Sequence, residues 1–216
     1  MTDISKDLAD LRREYIIKPL HRKDLNPDPV SQFDTWFQEA LNAEAMDANA
    51  MSIATATATG TPSLRTVLLK YYDTSGFVFY TNLGSRKASE ISENSNVALL
   101  FYWHELHRQV KISGQAHQIS TAESLKYFMR RPRESQIGAW VSRQSSIISS
   151  RSILENKFAE IKEKYAHGEV PLPSFWGGYK VKPIRIEFWQ GRESRLHDRF
   201  VYTPEDSSWN IARLAP

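Results

Sequence analysis

The chain has 216 residues, of which 41% are hydrophobic and 25% charged, so a globular protein with a substantial core is expected. Its 28 lysines and arginines against 25 acidic residues give a formal net charge of +3, too mild a balance for bulk nucleic-acid binding. The absence of cysteine excludes disulfides, iron–sulfur clusters, zinc–thiolate sites and cysteine nucleophiles.

No apolar segment is long enough to form a membrane-spanning helix. The longest apolar run, residues 97–103, is far shorter than the about 20 residues that such a helix needs. The N-terminal segment lacks the apolar stretch of a secretion signal. We therefore expect a soluble cytoplasmic protein that binds neither membranes nor nucleic acid.

Two helices are predicted before the first strand. Apolar residues at helical spacing predict an amphipathic helix over residues 3–16. Ser31 and Asp34 have the spacing of a capping box, which predicts that a second helix opens there. Its predicted inward side chains are Phe33, Trp36, Phe37, Ala40 and Leu41.

A block of short strands follows and defines the expected fold class. Strands are predicted over residues 51–59, 63–72, 77–81, 96–103 and 107–118. Their spacing and tight turns indicate an antiparallel barrel or sandwich. Further predicted elements are a helix capped by Ser120 and Glu123, a helix over 151–166, and strands over 179–189, 195–203 and 208–213. The chain is predicted to be mainly β with flanking helices (α+β), as one domain over residues 1–216.

Three cationic or protonatable residues alternate near the C-terminus. Arg195, His197 and Arg199 occupy every other position of the predicted last-but-one strand, so they should line one face of it. A sequence tolerates such a cluster where an anionic or electron-rich group lies against it. The alternative is an exposed edge strand with solvated charges. Trp189, beside the preceding turn, favours a binding site.

The start of a predicted helix carries a second basic group. Ser85 is followed by Arg86 and Lys87 in the first turn, where backbone N–H groups already favour an anion. Two cations there interact unfavourably with the positive end of the helix dipole. A phosphate bound at this position would make the interaction favourable. The alternative is a surface helix with two solvated basic residues.

A third group combines an arginine with two hydroxyls. Tyr127 and Arg131 are four residues apart on a predicted helix and share a face, and Ser135 follows shortly after. These side chains suit a phosphate, although a surface Tyr–Arg stack has the same spacing.

Arg65 and Lys70 lie five residues apart in one predicted strand. Simple alternation puts them on opposite faces, so they should serve different ligands or different subunits unless a bulge intervenes. Alternatively, Lys70 has no ligand and its ammonium group simply reaches solvent. No glycine-rich nucleotide motif, P-loop or metal-ligand cluster is found, so neither a Rossmann site nor a metal is expected.

Several long motifs carry a resemblance to a known family. They are IEFWQ (186–190) with RLHDR (195–199) four residues later, RTVLLK (65–70), FYTNLGSRK (79–87), RPRESQIGAWVSRQS (131–145) and PLPSFWGG (171–178). In these motifs and their order, the chain closely resembles the pyridoxine 5′-phosphate oxidase family of FMN enzymes from about residue 11 to residue 216.

The resemblance implies an FMN-binding split β-barrel that is a homodimer with FMN in the cleft between subunits. The implied FMN-binding residues are Arg65, Thr66, Val67, Leu68, Leu69, Lys70, Tyr80, Thr81, Arg86, Lys87, Gln109, Gln144, Ser145, Trp189 and Arg199. The implied substrate-binding residues are Arg12, Arg13, Glu14, Tyr15, Lys70, Tyr127, Arg131, Ser135, Arg195 and His197. The first four belong to an N-terminal helical segment, residues 1–17, which is expected to close over the site as a lid.

The implied reaction converts pyridoxine 5′-phosphate or pyridoxamine 5′-phosphate to pyridoxal 5′-phosphate, in vitamin B6 biosynthesis and salvage. Hydride would pass from C4′ to the flavin and the electrons to O2, giving H2O2, with Arg195 and His197 as catalytic residues. Two other interpretations stay open: a flavin reductase or plain flavin binder on the same fold, and a non-enzymatic carrier of vitamin B6 phosphates. The set of Lys70, Tyr127, Arg131 and Ser135 has no purpose in a plain flavin binder.

Overall fold

The computed structural model describes residues 19–142 and 144–216. The predicted first helix and the predicted lid residues Arg12, Arg13, Glu14 and Tyr15 lie outside these ranges. Within the two described ranges, nine strands form one antiparallel sheet: β1 (Ala50–Ala56), β2 (Pro62–Leu68), β3 (Tyr71–Asp73), β4 (Gly76–Asn82), β5 (Asn96–Trp103), β6 (Arg108–Gln118), β7 (Trp176–Gln190), β8 (Asp198–Glu205) and β9 (Ser208–Leu214). The α-helices of the described part are α1 (Pro29–Asn42), α2 (Arg86–Glu93), α3 (Thr121–Phe128), α4 (Arg133–Val141) and α5 (Ser152–Lys164).

The order of the strands shows that the sheet closes into a barrel. The order is β2-β1-β5-β6-β7-β4-β3, so β2 and β3 are the two edges of this path. Only Leu69 and Lys70 join these edges in the chain, which holds their ends within about 11 Å of each other. Leu69 N–H donates to Asn49 O at 2.8 Å beside β1, and Lys70 N–H donates to Val78 O at 2.9 Å on β4. The predicted antiparallel barrel is confirmed, and residues 69–70 are its seam.

Strand β7 is long enough to have different neighbours at its two ends. Its first six residues pair with β4, its last five residues pair with β8, and β6 pairs with it from Tyr179 to Gln190. The β6–β7 register shifts at Gly114, where a Cβ atom would lie 2.3 Å from Lys182 O. Only glycine fits such a close approach, and the shift lets the long strand bend.

Aromatic side chains fill the main core. Phe33 of α1 is fully buried and its ring packs at 5.0 Å from the rings of Tyr72, Phe77 and Phe101. A second, smaller core lies among α3, α4 and α5 and includes Phe128, Ile137, Ile161, Val170 and Trp176. Trp176 is the first residue of β7, so this helical layer is attached to the barrel at one end of its longest strand.

Two helix predictions differ from the structure at α1. The helix begins at Pro29 with Asp28 as its cap, and the Asp28 carboxylate accepts from Ser31 N at 2.8 Å. The predicted Ser31–Asp34 capping box is therefore wrong, because Pro29 suits the first helical position and places the start earlier. Leu41, predicted to face inward, is 47% exposed, whereas Phe33, Trp36 and Ala40 are buried. The predicted box of Ser120 and Glu123 at α3 is confirmed.

Two strand predictions also need correction, and one helix was missed. The predicted strand over residues 63–72 is two strands, β2 and β3, interrupted at the seam. The predicted strand 195–203 begins only at Asp198, because Ser194 and Arg195 have left-handed φ values of 53° and 60° that end extended structure. Helix α4 was not predicted and follows directly after Pro132.

No helix within residues 19–142 and 144–216 is long and apolar enough to cross a membrane.

Replacing Phe33 by Ala should lower the free energy of unfolding by about 3–5 kcal/mol, because it leaves a cavity among packed rings. Leu41→Ala on the same helix removes an exposed side chain and should cost about 0.5 kcal/mol or less. Urea unfolding followed by tryptophan fluorescence measures both. A Phe33→Ala loss no larger than the Leu41→Ala loss would contradict this account of the core.

Candidate functional site

A cavity of about 480 Å³ lies where the seam, β4 and the helical layer meet. Many predicted site residues come together in its lining: Thr66, Val67, Leu68, Lys70, Tyr80, Thr81, Lys87, Tyr127, Arg131, Ser135 and Gln144. The lining also contains residues that were not predicted: Asn82, Gly138, Ala139, Ser142 and Trp176. Trp176 lies within the motif at 171–178, which was the one signal for it in the sequence. The seam therefore supplies one wall and α3–α4 the other.

Three stacked aromatic rings form one side of the cavity. The centroid of the Tyr80 ring lies 4.1 Å from that of Tyr127 and 5.2 Å from that of Trp176, and all three rings are nearly parallel. Gly178 is the strand partner of Tyr80, and a Cβ atom there would lie 2.8 Å from the Tyr80 ring. Glycine at 178 thus allows the Tyr80 ring to lie flat. The stack gives the cavity a rigid apolar wall beside its cationic groups.

Arg131 brings to this wall a positive charge that has no acidic partner among the described residues. Its guanidinium lies 4.9 Å from the centroid of Trp176, and burial lowers its pKa. Its Nη1 atom is buried with no hydrogen-bond partner among the described residues. A buried donor without a partner costs free energy unless a ligand satisfies it. The guanidinium is therefore suited to an anion entering between Tyr127 and Ser135.

Lys87 is a second buried cation in the lining. Its Nζ donates to Gln144 Oε1 at 2.8 Å and to Thr81 Oγ1 at 3.0 Å. Burial, and then the nearby charge of Arg65, lowers its pKa to about 8. An anion bound here would favour the charged form, because opposite charges stabilise each other at short range.

Arg65 and Arg86 lie behind Lys87 and do not line the cavity. Both donate to the carboxylate of Glu90, Arg86 through Nε at 2.8 Å and Arg65 through Nη2 at 3.3 Å. The Arg86 backbone N–H lies 3.4 Å from Ser145 Oγ, which it contacts as a weak donor. The predicted residues Arg65, Arg86, Lys87, Gln144 and Ser145 therefore form one connected group at the start of α2.

Other predicted residues form a separate row on the sheet. Gln109, Trp189 and Arg199 are direct neighbours across β6, β7 and β8. The Arg199 guanidinium donates to Glu187 at 2.9 Å and to Ala215 O at 2.7 Å. The ring of His197 lies 4.6 Å from that of Trp189. These four residues do not line the 480 Å³ cavity.

Arg195 and His197 do not alternate with Arg199 along a strand, which corrects the prediction. Arg195 ends a short 3-10 turn, Glu193–Arg195, and its own φ of 60° follows the 53° of Ser194. Consecutive left-handed residues other than glycine cost of order 1–3 kcal/mol each and tend to occur at functional sites. The turn leaves Arg195 exposed beside His197.

The protonation of His197 follows from its contacts. Its Nδ1 accepts a hydrogen bond from Arg192 N at 3.1 Å, so the neutral ring carries its proton on Nε2. Burial, and then the charge of Arg195, lowers the pKa of His197. The lowered pKa favours the neutral ring at pH 7, in which Nε2 carries the proton.

One chain keeps these two groups of residues apart. Trp176 at the cavity and Trp189 in the row lie thirteen positions apart on β7, which is roughly 40 Å along the strand. The row thus belongs to the opposite end of the barrel's longest strand.

Replacing Arg131 by Met should leave the free energy of unfolding unchanged or raise it by about 1 kcal/mol, since it removes a buried donor without a partner. Arg133→Met is the matched control, because the Arg133 guanidinium donates to the carbonyls of Gly168 and Tyr165. It should lower stability by about 1 kcal/mol. Urea unfolding without ligand measures the stability of both variants. A greater loss of stability for Arg131→Met than for Arg133→Met would contradict the view that Arg131 has a buried donor without a partner.

Comparison with known protein families identifies two regions of the chain. Residues 37–165 match a family model described as pyridoxamine 5′-phosphate oxidase. Residues 176–216 match one described as the pyridoxine 5′-phosphate oxidase C-terminal dimerisation region. The second match covers β7, β8 and β9, and so includes Trp189, His197 and Arg199.

Curated relatives and solved structures agree with these matches. The pyridoxine/pyridoxamine 5′-phosphate oxidases of Crocosphaera subtropica and Shewanella sediminis are 62% and 59% identical to the chain; each alignment covers 97% of it and 100% and 99% of the relative. PhzG from Burkholderia lata, solved with tetrahydrophenazine-1-carboxylic acid, is 29% identical, with a TM-score of 0.87 over 93% of this chain and 99% of that one. An FMN-binding protein from Nostoc punctiforme shares the fold at 14% identity, with a TM-score of 0.69 over 85% of this chain and 97% of its own. Full-length similarity to curated oxidases, together with the two family matches, shows that this chain belongs to the flavin-dependent pyridoxine/pyridoxamine 5′-phosphate oxidase family.

Proposed function

We propose that the chain is an FMN-dependent oxidase that converts pyridoxine 5′-phosphate or pyridoxamine 5′-phosphate to pyridoxal 5′-phosphate. One observation supports this most directly: one cationic group lines the cavity, and a second reaches it through Lys87. Lys70, Tyr127, Arg131 and Ser135 are one group, and Arg65, Arg86 and Lys87 are the other. Two phosphorylated ligands account for both groups, whereas a protein that only binds a flavin needs one.

The first group fits the phosphate of the substrate. A phosphate monoester carries about −1.5 to −2 charges near neutral pH and accepts several hydrogen bonds. Arg131 has an unpartnered buried donor among the described residues, and the hydroxyls of Tyr127 and Ser135 line the same cavity. Lys70 at the barrel seam adds a fourth donor.

The second group fits FMN. Arg65, Arg86 and Lys87 would bind its phosphate, with Gln144 and Ser145 beside them. The segment from Thr66 to Lys70, with Tyr80 and Thr81, would hold the flavin ring. The remaining predicted FMN contacts, Gln109, Trp189 and Arg199, would come from the second subunit.

The surface of the sheet supports a site shared between two subunits. Strand register places Leu64, Leu68 and Tyr102 on the same face as Trp189, and these three side chains are 68%, 42% and 52% exposed. Apolar side chains concentrated on one sheet face favour an interface. A homodimer that covers this face would bring the Trp189 row of each subunit to the cavity of the other.

The protein's contribution to the reaction is positioning and electrostatics. When bound, FMN supplies the two-electron oxidation, with O2 as the final acceptor and H2O2 as a product. Arg195, which is held by its strained turn, would stabilise negative charge that develops on the substrate. The neutral His197 would donate through Nε2 to the ring hydroxyl of the substrate, because its Nδ1 is already an acceptor. The aromatic wall and the phosphate group orient the carbon that is oxidised.

The experiment that tests this function mixes the purified protein, loaded with FMN, with pyridoxine 5′-phosphate in air. Aldehyde and peroxide should form together in equal amounts. Unphosphorylated pyridoxine should react far more slowly, since Arg131 and its neighbours would have no anion to bind. Binding of the vitamer without aldehyde would instead indicate a carrier, and flavin reduction only by an added nicotinamide would indicate a reductase.

Arg195→Leu should reduce turnover of pyridoxine 5′-phosphate at least a hundredfold, about 3 kcal/mol, because it removes one preorganised donor. The flavin absorbance of the purified variant should be retained. Arg151→Leu, which alters an exposed arginine on the helical layer, is the control and should turn over normally. Wild-type turnover by Arg195→Leu would remove Arg195 from the mechanism.

A further inference from the structure

Glu90 is a buried carboxylate that no step of the proposed reaction uses. It lies on α2 with a side chain only 4% exposed. Its Oε2 accepts from Thr55 Oγ1 and Ser63 Oγ at 2.5 Å each and from Arg65 at 3.3 Å, and its Oε1 accepts from Arg86 at 2.8 Å. A buried carboxylate with four donors is fully compensated, and these donors hold its pKa at about 2 against the opposing effect of burial.

This carboxylate joins two arginines that come from different elements. Arg65 is on β2 and Arg86 is in the first turn of α2. Their like charges would otherwise drive the two guanidinium groups apart. Glu90 occupies only the Nε–H of Arg86, so the four Nη–H donors of that side chain are not used by Glu90. The arrangement therefore fixes both arginines and still leaves donors of Arg86 for a second anion.

The charges of the cluster suit a phosphate monoester. Arg65, Arg86 and Lys87 contribute three positive charges and Glu90 one negative charge, a net of +2. This balances the about −1.5 to −2 charges of a phosphate monoester. The charge of Glu90 also opposes the effect of Arg65 on Lys87, and so helps to keep Lys87 protonated beside Thr81, Ser85 and Gln144.

We propose that Glu90 is a positioning residue that holds Arg65 and Arg86 ready for the phosphate of FMN. This inference rests on the proposed function, which assigns those arginines and Lys87 to that phosphate. The role is distinct from a purely structural one. A structural carboxylate would affect every flavin alike, whereas a positioning carboxylate affects only a flavin that carries a phosphate.

The test compares FMN with riboflavin, which lacks the phosphate. The full-length chain, freed of flavin, is titrated with each ligand and the dissociation constants are measured by quenching of flavin fluorescence. In Glu90→Gln the amide has one acceptor oxygen and places N–H donors against the arginines. Its dissociation constant for FMN should rise at least tenfold, while that for riboflavin should change less than twofold. Glu93→Gln, on the exposed side of the same helix, should leave both constants unchanged.

Two further variants keep the test decisive. Glu90→Asp retains the charge on a shorter side chain and should show a smaller loss of FMN preference; it replaces Glu90→Gln if the latter does not fold. An unchanged ratio of the two constants in the folded Glu90 variant would overturn the proposal. Arg86→Ala separates this failure from a wider one: if it lowers the FMN preference while the Glu90 variant does not, only the role of Glu90 fails. If Arg86→Ala also leaves the ratio unchanged, the phosphate assignment itself is wrong.

Discussion

The two-residue seam at Leu69 and Lys70 is the constraint on which the rest of the structure depends. It joins the opposite edges of the sheet path, so the sheet has to curl, and it brings the end of β2 beside β4. Residues from both sides of the seam then meet in one cavity: Thr66 and Leu68 from β2, and Tyr80 and Thr81 from β4. The main-chain hydrogen bonds of residues 69 and 70 leave the Lys70 side chain at the junction. The short connection that closes the barrel therefore also brings the residues of the cavity together.

The sequence predicted those features whose cause is local. Alternating side chains located most strands, and Ser120 with Glu123 capped α3 as expected, because the capping box involves only four consecutive residues. The error at α1 was local too: Asp28 before Pro29 is the better start, and Ser31 is a donor to Asp28 rather than the cap. The break of the predicted strand at Leu69 was not visible, since it arises when one segment must bond to β1 and the next to β4.

The site itself was accessible mainly through the resemblance to a family. Spacing placed Tyr127 and Arg131 on one face of a helix, which is wrong because α3 ends at Phe128, before Arg131. Spacing also could not show that Trp176, far away in the sequence, lies beside both side chains. The regular alternation suggested for Arg195, His197 and Arg199 failed because two left-handed residues precede the strand. Glu90 was not among the predicted site residues. Its burial depends on Thr55 and Ser63 from two strands that its own segment does not reveal.

The two proposed phosphate sites are built in opposite ways, and the difference matches the behaviour of their ligands. At the proposed cofactor site, Glu90 forms ion pairs with Arg65 and Arg86, so both guanidinium groups have an anionic partner without a phosphate. At the substrate site, Arg131 has no acidic partner among the described residues, so an entering phosphate displaces no competing carboxylate. A site left uncompensated is costly when empty and gains more on binding, since a buried donor is then satisfied. Such a site suits a molecule that enters and leaves at every turnover, whereas a compensated site suits a cofactor that remains bound.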